Sequence, residues 1–91
     1  MPDEIVSVLA ENRNVRIERI ISTGQTSCWY DQNETEFVAL LTGNAIIEYH
    51  DGKQVSLQAG DTIIIEPHLK HRVAYTSSNP PAIWLCVFYV G

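Results

Sequence analysis

The sequence predicts an all-β fold, an antiparallel sandwich or small barrel entered through one short helix. Three observations carry that prediction. Segments of alternating or continuously apolar residues follow one another from Val15 to Val90, and each is cut off by Gly, Asp, Asn or Pro turns. No helical period lies between them, and a parallel sheet without crossover helices cannot form. The 91 residues are 45% hydrophobic and 19% charged, which suits one folded domain and argues against disorder or a coiled coil.

The elements read in order. Pro2 to Glu11 reads as a helix, with Pro2 in the first turn, Asp3 and Glu4 at the positive end, and Ile5, Val8 and Leu9 on one face; the helical segment spans residues 1–13. The barrel then runs over residues 15–90. Val15–Ile21 alternates and turns at Ser22-Thr-Gly24, Cys28-Trp-Tyr30 reads as a strand, and Asp31–Glu34 as a polar loop. Glu36–Thr42 stops at Gly43-Asn44. Ala45–His50 and Lys53–Gln58 flank Asp51-Gly52, a signal for a two-residue type I′ hairpin that would set His50 opposite Lys53, exposed at the tip. Thr62–Ile65, Arg72–Thr76 and Ala82–Val90 complete about seven or eight strands, with His68 and His71 on the loop opened by Glu66-Pro67.

Composition narrows the partners. Eleven acidic and six basic residues give a net charge of −5, and the basic residues form no run, so nucleic acid and anionic membranes are excluded as expected partners. The start of the chain lacks the basic and apolar regions of a signal peptide, and no stretch has the length of a membrane span, so a cytoplasmic location is expected. Cys28 and Cys86 have neither a metal-ligand nor a redox spacing and read as free buried thiols, ahead of a disulfide or a nucleophile.

Two stretches share a spacing. The first is Gly24, five residues, Tyr30, one residue, Gln32, three residues, Glu36, six residues, Gly43; the second is Gly60, five residues, Glu66, one residue, His68, two residues, His71, three residues, Tyr75. This resembles the paired motifs of the cupin superfamily, with identity at Gly24, Glu36, Gly43, Gly60 and His71 and the expected proline one place late as Pro67. The resemblance covers about residues 15–90 and is similar to small single-domain bacterial cupins. It implies a jelly-roll barrel open at one end, with substrates or metals inside the mouth.

In metal-binding cupins two imidazoles of the first motif, the Glu and the second-motif His surround a divalent ion such as Mn, Fe, Ni or Zn. Here the first two positions are Tyr30 and Gln32, or Trp29 and Asp31 if the variable gap is one residue longer. The ligand types left are Glu36 and His71, joined by Asp31, Gln32 or His68; an Asp31/Glu36/His71 set would favour Mn or Mg. His68 and His71 are three apart and would face opposite ways on a regular strand unless Pro67 kinks the chain. Each residue also has a plainer reading. Glu36 could be paired with Arg16, Arg19 or Arg72, His71 could donate to a backbone carbonyl, and Trp29, Tyr30, Phe37, Tyr75 and Trp84 could be core aromatics.

Three functions stay open on this reading. The first is binding of a small molecule in the mouth by Trp29, Tyr30, Gln32, Tyr75 and His71, with or without a divalent metal. The second is a metal-dependent oxidoreductase or isomerase using Glu36 and His71, with Tyr30 or His68 as acid or base, and the third a non-catalytic structural dimer. Phe37–Leu41, Ile63–Ile65 and Ala82–Val90 are apolar on both faces, which predicts that a second copy covers the outside of one sheet and that the N-terminal segment helps seal it.

Overall fold

The computed structural model describes residues 4–90. Eight strands form two antiparallel sheets: β1 (Ile5–Glu11), β2 (Val15–Ser22), β3 (Thr35–Thr42), β4 (Asn44–Tyr49), β5 (Gln54–Gln58), β6 (Thr62–Ile65), β7 (His71–Thr76) and β8 (Ala82–Tyr89). One sheet has the order β1-β2-β8-β3-β6, the other β5-β4-β7. Among the described residues no helix is long and apolar enough to cross a membrane.

Strand β8 shows how the sequence makes this shape. It is central in the larger sheet, and its residues alternate strictly between buried and partly exposed. Ala82, Trp84, Cys86 and Phe88 point inward to meet Val38 and Leu40 of β3, Ala45 and Ile47 of β4, Leu57 of β5 and Ile65 of β6. Leu40 and Ile65 are sealed from solvent, and burying each such side chain stabilises the fold by about 1.5–3 kcal/mol. Glu36 opens β3 on the same inward face, so the core grades into a site without a change of strand phase.

The N-terminal segment corrects the expected helix. Ile5 to Glu11 is a strand paired antiparallel with β2, Ile5 opposite Ile21 and Val8 opposite Glu18, with a register shift between Val8 and Ala10. Ile5, Val6 and Val8 are β-branched, which stiffens χ1 and favours an extended chain, and the free edge of β2 satisfies their backbone groups. The spacing of Ile5, Val8 and Leu9 therefore reflects a bulged strand. Pro2 and Asp3 of that expected helix lie outside the described residues.

Two further expectations change. Cys28-Trp-Tyr30 is not a strand; Tyr30 makes an isolated antiparallel bridge with His71. At the β4–β5 hairpin the Tyr49 amide donates to the Lys53 carbonyl at 2.8 Å and the Gly52 amide to the Tyr49 carbonyl at 2.9 Å, so the loop has three residues and Tyr49, not His50, opposes Lys53. Only Gly52 there has positive φ, at 92°, the glycine that follows a type I turn in three-residue hairpins. His50 is exposed, edge-on to Trp29 with ring centroids 5.9 Å apart.

Gly43 joins β3 to β4 with φ 82°, and a Cβ there would stand 2.5 Å from Ser77 Oγ and 2.6 Å from the Pro81 carbonyl oxygen. Gly52 has open space around it. Both would strain an L-residue, but only Gly43 adds a clash with backbone. Gly43→Ala is expected to lower unfolding free energy by about 3 kcal/mol or more and Gly52→Ala by about 1 kcal/mol, read from urea midpoints.

Candidate functional site

A cavity of about 260 Å³ opens between the sheets. Its walls are mostly apolar, with Ile20, Val38, Ile47, Val73, Trp84 and Phe88 among them, and two of its polar groups, Gln32 and His71, converge on the acid Glu36. Glu36 is 8% exposed, and an inward carboxylate this enclosed needs donors. Gln32 Nε2 donates to Glu36 Oε1 at 3.0 Å. His71 Nε2 stands 3.6 Å from the same oxygen, within ion-pair range.

His71 is fixed on three sides. Its Nδ1 lies 2.8 Å from the Leu69 carbonyl oxygen, which can only accept, so that nitrogen carries a proton and Nε2 is the one presented to Glu36. Its backbone is clamped to Tyr30, amide to carbonyl in both directions at 2.7 and 3.0 Å. The Tyr30 ring leans on the imidazole with centroids 5.6 Å apart. Burial alone would lower the His71 pKa, but the Glu36 carboxylate and the Leu69 carbonyl outweigh it and hold the imidazole above its ordinary value of 6.5. Burial, aided by Glu4, pushes the Tyr30 phenol up, so it stays protonated at neutral pH.

The rest of the lining is committed locally. Arg16 Nε donates to Glu18 at 2.8 Å and Nη1 to Glu34 at 3.3 Å, while its guanidinium sits 4.4 Å above the Phe88 ring. Ser22 Oγ donates to Glu4 at 2.8 Å and accepts from Trp84 Nε1 at 3.2 Å. An arginine partner for Glu36, one of the two readings open from the sequence, is not seen for Arg16, which serves Glu18 and Glu34, or for Arg72, which serves Glu48 on the outside of β7.

The residues expected at a site fall into separate places. Glu36, His71, Tyr30 and Gln32 line the cavity. Asp31 and His68 pair with each other at 2.9 Å on the rim, their side chains 55% and 68% exposed. Trp29 lies outside the lining beneath the Arg72 guanidinium, and Tyr75 is exposed on the outer side of β7. Neither is the core aromatic its strand-like context suggested. Cys86 was missed: it lines the cavity, and burial and then the Glu36 carboxylate push its thiol up, so it rests as the neutral thiol. Its phase with Trp84 and Phe88 was the available signal.

Residues 19–88 match the family model of the cupin domain. The chain belongs to the cupin family. Among solved cupin structures, a Ralstonia eutropha JMP134 protein provisionally named a mannose-6-phosphate isomerase shares 38% identity over 100% of this chain and 88% of its own, with a TM-score of 0.93. A cupin superfamily protein of Desulfitobacterium hafniense DCB-2 shares 17% over 98% of this chain and 79% of its own, TM-score 0.86, and the EutQ protein of Clostridium difficile 20% over 97% and 70%, TM-score 0.79. The latter two show the fold alone. A search of curated proteins found no match.

Cupins commonly hold a divalent ion at this place, and the donor set here does not fit one held tightly. Tyr30 and Gln32 stand where first-motif imidazoles would, Gln32 turns its amide N–H to Glu36, and Asp31 and His68 pair elsewhere. Among the described residues no group of three or more His, Cys, Asp or Glu side chains is arranged to hold a metal ion. A closed transition-metal site offers three or four strong ligands.

Because the folded His71 pKa lies above its unfolded value, the stabilisation it brings is fully present below 6.5 and is lost as pH rises through the folded value. The wild-type protein is expected to lose stability relative to Glu36→Gln as pH is raised from below 6.5 to about 9. Urea midpoints of the two proteins that stay parallel across that range would contradict the pairing.

Proposed function

We propose that this cupin barrel binds a small, uncharged, largely apolar molecule carrying a carbonyl or hydroxyl group, and needs no divalent metal to do so. The observation that carries this reading is the Glu36–His71 pair, which with Gln32 and Tyr30 faces a cavity whose walls are mostly apolar and whose other charged side chains, Glu4, Arg16 and Glu18, are held by contacts of their own. Ligand pockets pair apolar walls with a few placed polar groups, and at about 260 Å³ this one is smaller than the ~300–1,000 Å³ typical of drug-sized ligands. The ligand's oxygen would accept from His71 or donate to Glu36, while its carbon skeleton lies against Trp84, Phe88 and the aliphatic walls.

Charge decides against a phosphorylated ligand. The lining includes Glu4, Glu18 and Glu36 against Arg16 and His71, and Arg16 is already held by Glu18 and Glu34. An added dianion would meet no free cation and a low-dielectric wall. The sugar-phosphate name given to the Ralstonia relative is therefore not carried over to this chain.

A second reading rests on the same pair. An imidazole held above its ordinary pKa beside a buried carboxylate is an acid next to a base, the arrangement that isomerises carbonyl compounds by moving a proton. With an α-hydroxycarbonyl compound, Glu36 would take the proton from the hydroxyl-bearing carbon as His71 Nε2 gives one to the carbonyl oxygen, forming an enediol; Glu36 would then deliver its proton to the former carbonyl carbon as Nε2 takes one from the other hydroxyl, which moves the carbonyl and restores both groups.

Protein purified without chelator or immobilised-metal resin, titrated by NMR with small cyclic ketones and alcohols and with mannose 6-phosphate, tests the proposal. Neutral probes are expected to bind, to bind at least about tenfold more weakly to His71→Ala, and to be indifferent to added Mn, Fe, Ni or Zn. A full equivalent of copurifying metal, or a melting temperature raised by one of those ions, would favour the metal-dependent reading. Unaltered binding in His71→Ala would remove His71 from the site.

A further inference from the structure

The cavity has a second polar place, on the β1 side of the five-stranded sheet. Glu4 stands just before β1, and its carboxylate accepts from Ser22 Oγ at 2.8 Å, while Ser22 Oγ accepts from Trp84 Nε1 at 3.2 Å. Ser22 is 1% exposed and Trp84 4%, so the hydroxyl and the indole N–H have no solvent to turn to and are engaged within this chain. The indole can only donate, which fixes the direction of the whole series: Trp84 gives to Ser22, and Ser22 gives to Glu4. Acceptor capacity is left only at the Glu4 end. A carboxylate has about four lone-pair sites, and among the described residues Glu4 has one hydrogen-bond donor and no cation within ion-pair range.

Glu4 lines the cavity together with the two residues that orient it from behind or beside it, Glu18 and Trp84 among its neighbours in the wall. Its charge reaches other parts of that wall. It adds to burial in raising the Tyr30 phenol, and it acts on the Cys86 thiol after burial, Glu36 and Glu18. In the sheet, β2 and β8 lie between β1 and the β3 strand that carries Glu36, and they contribute Ile20, Trp84 and Cys86 to the wall. The lining is thus polar at Glu4 and again at Glu36 and His71, with a mostly apolar stretch supplied by the strands between.

We propose that Glu4 is a second ligand-binding group, and that the cavity takes a neutral, chain-like molecule with two polar ends, a carbonyl or hydroxyl for Glu36 and His71 and a hydroxyl for Glu4. This rests on the reading of the cavity as a site for a neutral oxygen-bearing compound and adds the second end. The donor is a hydroxyl because an ammonium would have to shed its water among mostly apolar walls with Arg16 and His71 alongside, a far larger cost. A carboxylate end would meet the like charge of Glu4. Seating β1 on β2 would need no charge at position 4: Ser22 donates to an amide oxygen as well as to a carboxylate, so Glu4→Gln keeps that link and removes the charge alone.

Three probes of similar length, 2-hexanone, 6-hydroxy-2-hexanone and 5-oxohexanoate, titrated by NMR into the wild-type chain and into Glu4→Gln, test the proposal. The wild-type chain is expected to bind the hydroxyketone about tenfold more tightly than 2-hexanone, and 5-oxohexanoate more weakly than either. In Glu4→Gln the advantage of the hydroxyketone should shrink to about threefold or less, and 5-oxohexanoate should gain affinity. The wild-type ranking reads the charge without any variant. A hydroxyketone that binds no more tightly than 2-hexanone, or a ranking that is the same in Glu4→Gln, would overturn the role of Glu4; 2-hexanone binding that His71→Ala still weakens would then leave the Glu36–His71 end standing. Failure of all three probes to bind would overturn both.

Discussion

A carboxylate inside an apolar barrel has to be answered by donors, and the way Glu36 is answered sets the geometry around it. Left unpaired, its desolvation would cost several kcal/mol, more than a fair share of the stability of a domain this size. Gln32 and His71 answer it, the first from a loop and the second from the start of β7, just after a loop. The Tyr30–His71 bridge and the Leu69 carbonyl fix the imidazole, while the His68 amide donates to the Gln32 carbonyl at 2.7 Å and ties the second loop to the first. His68 sits at φ 61°, unusual for a side chain with a Cβ, and its ring bond to Asp31 holds the same two loops together from outside. The rim pair and the buried pair belong to one construction: the outer one positions the backbone that positions the inner one.

The five-stranded sheet serves both sides of itself. Inward residues of β2, β3 and β8 supply Arg16, Glu18, Glu36, Cys86 and Phe88 to the cavity, and the residues between them make an apolar outer surface. Period-two alternation normally separates a wet face from a dry one. Here both faces are apolar, and the inner one encloses the cavity. At the sheet's edge, Val6 of β1 and the neighbouring Glu4 add to the cavity wall.

Most of this architecture was legible in the residues. The strands after Asn14, the Cys28–Tyr30 segment excepted, and the Gly43 reversal follow from alternation and turn residues, because sheet pairing leaves little freedom once one face is apolar, whereas the pocket role of Glu36 and His71 came from the spacing shared with the cupin motifs. The N-terminal strand was not legible, since Ile5, Val8 and Leu9 fit a helical face as well as a bulged strand, and only the free edge of β2 decides between them. The loop partners were hidden for a similar reason. That Gln32 rather than an arginine meets Glu36, and that His68 turns outward to Asp31, depends on where irregular backbone runs after Gly24 and Pro67. The place of Cys86 beside Glu36 required both the phase of β8 and its pairing with β3, and the second of these is tertiary information.

His71 is a tethered, carboxylate-coupled imidazole facing a mostly apolar cavity. Nitrogen chemical shifts of the His71 ring, followed against pH in the wild-type protein and in Glu36→Gln, test that coupling most directly. Nδ1 is expected to stay protonated throughout and Nε2 to be the nitrogen that titrates, with a pKa above 6.5 that falls when Glu36 loses its charge. A ring that titrates at or below 6.5, or whose titration is the same in Glu36→Gln, would contradict it.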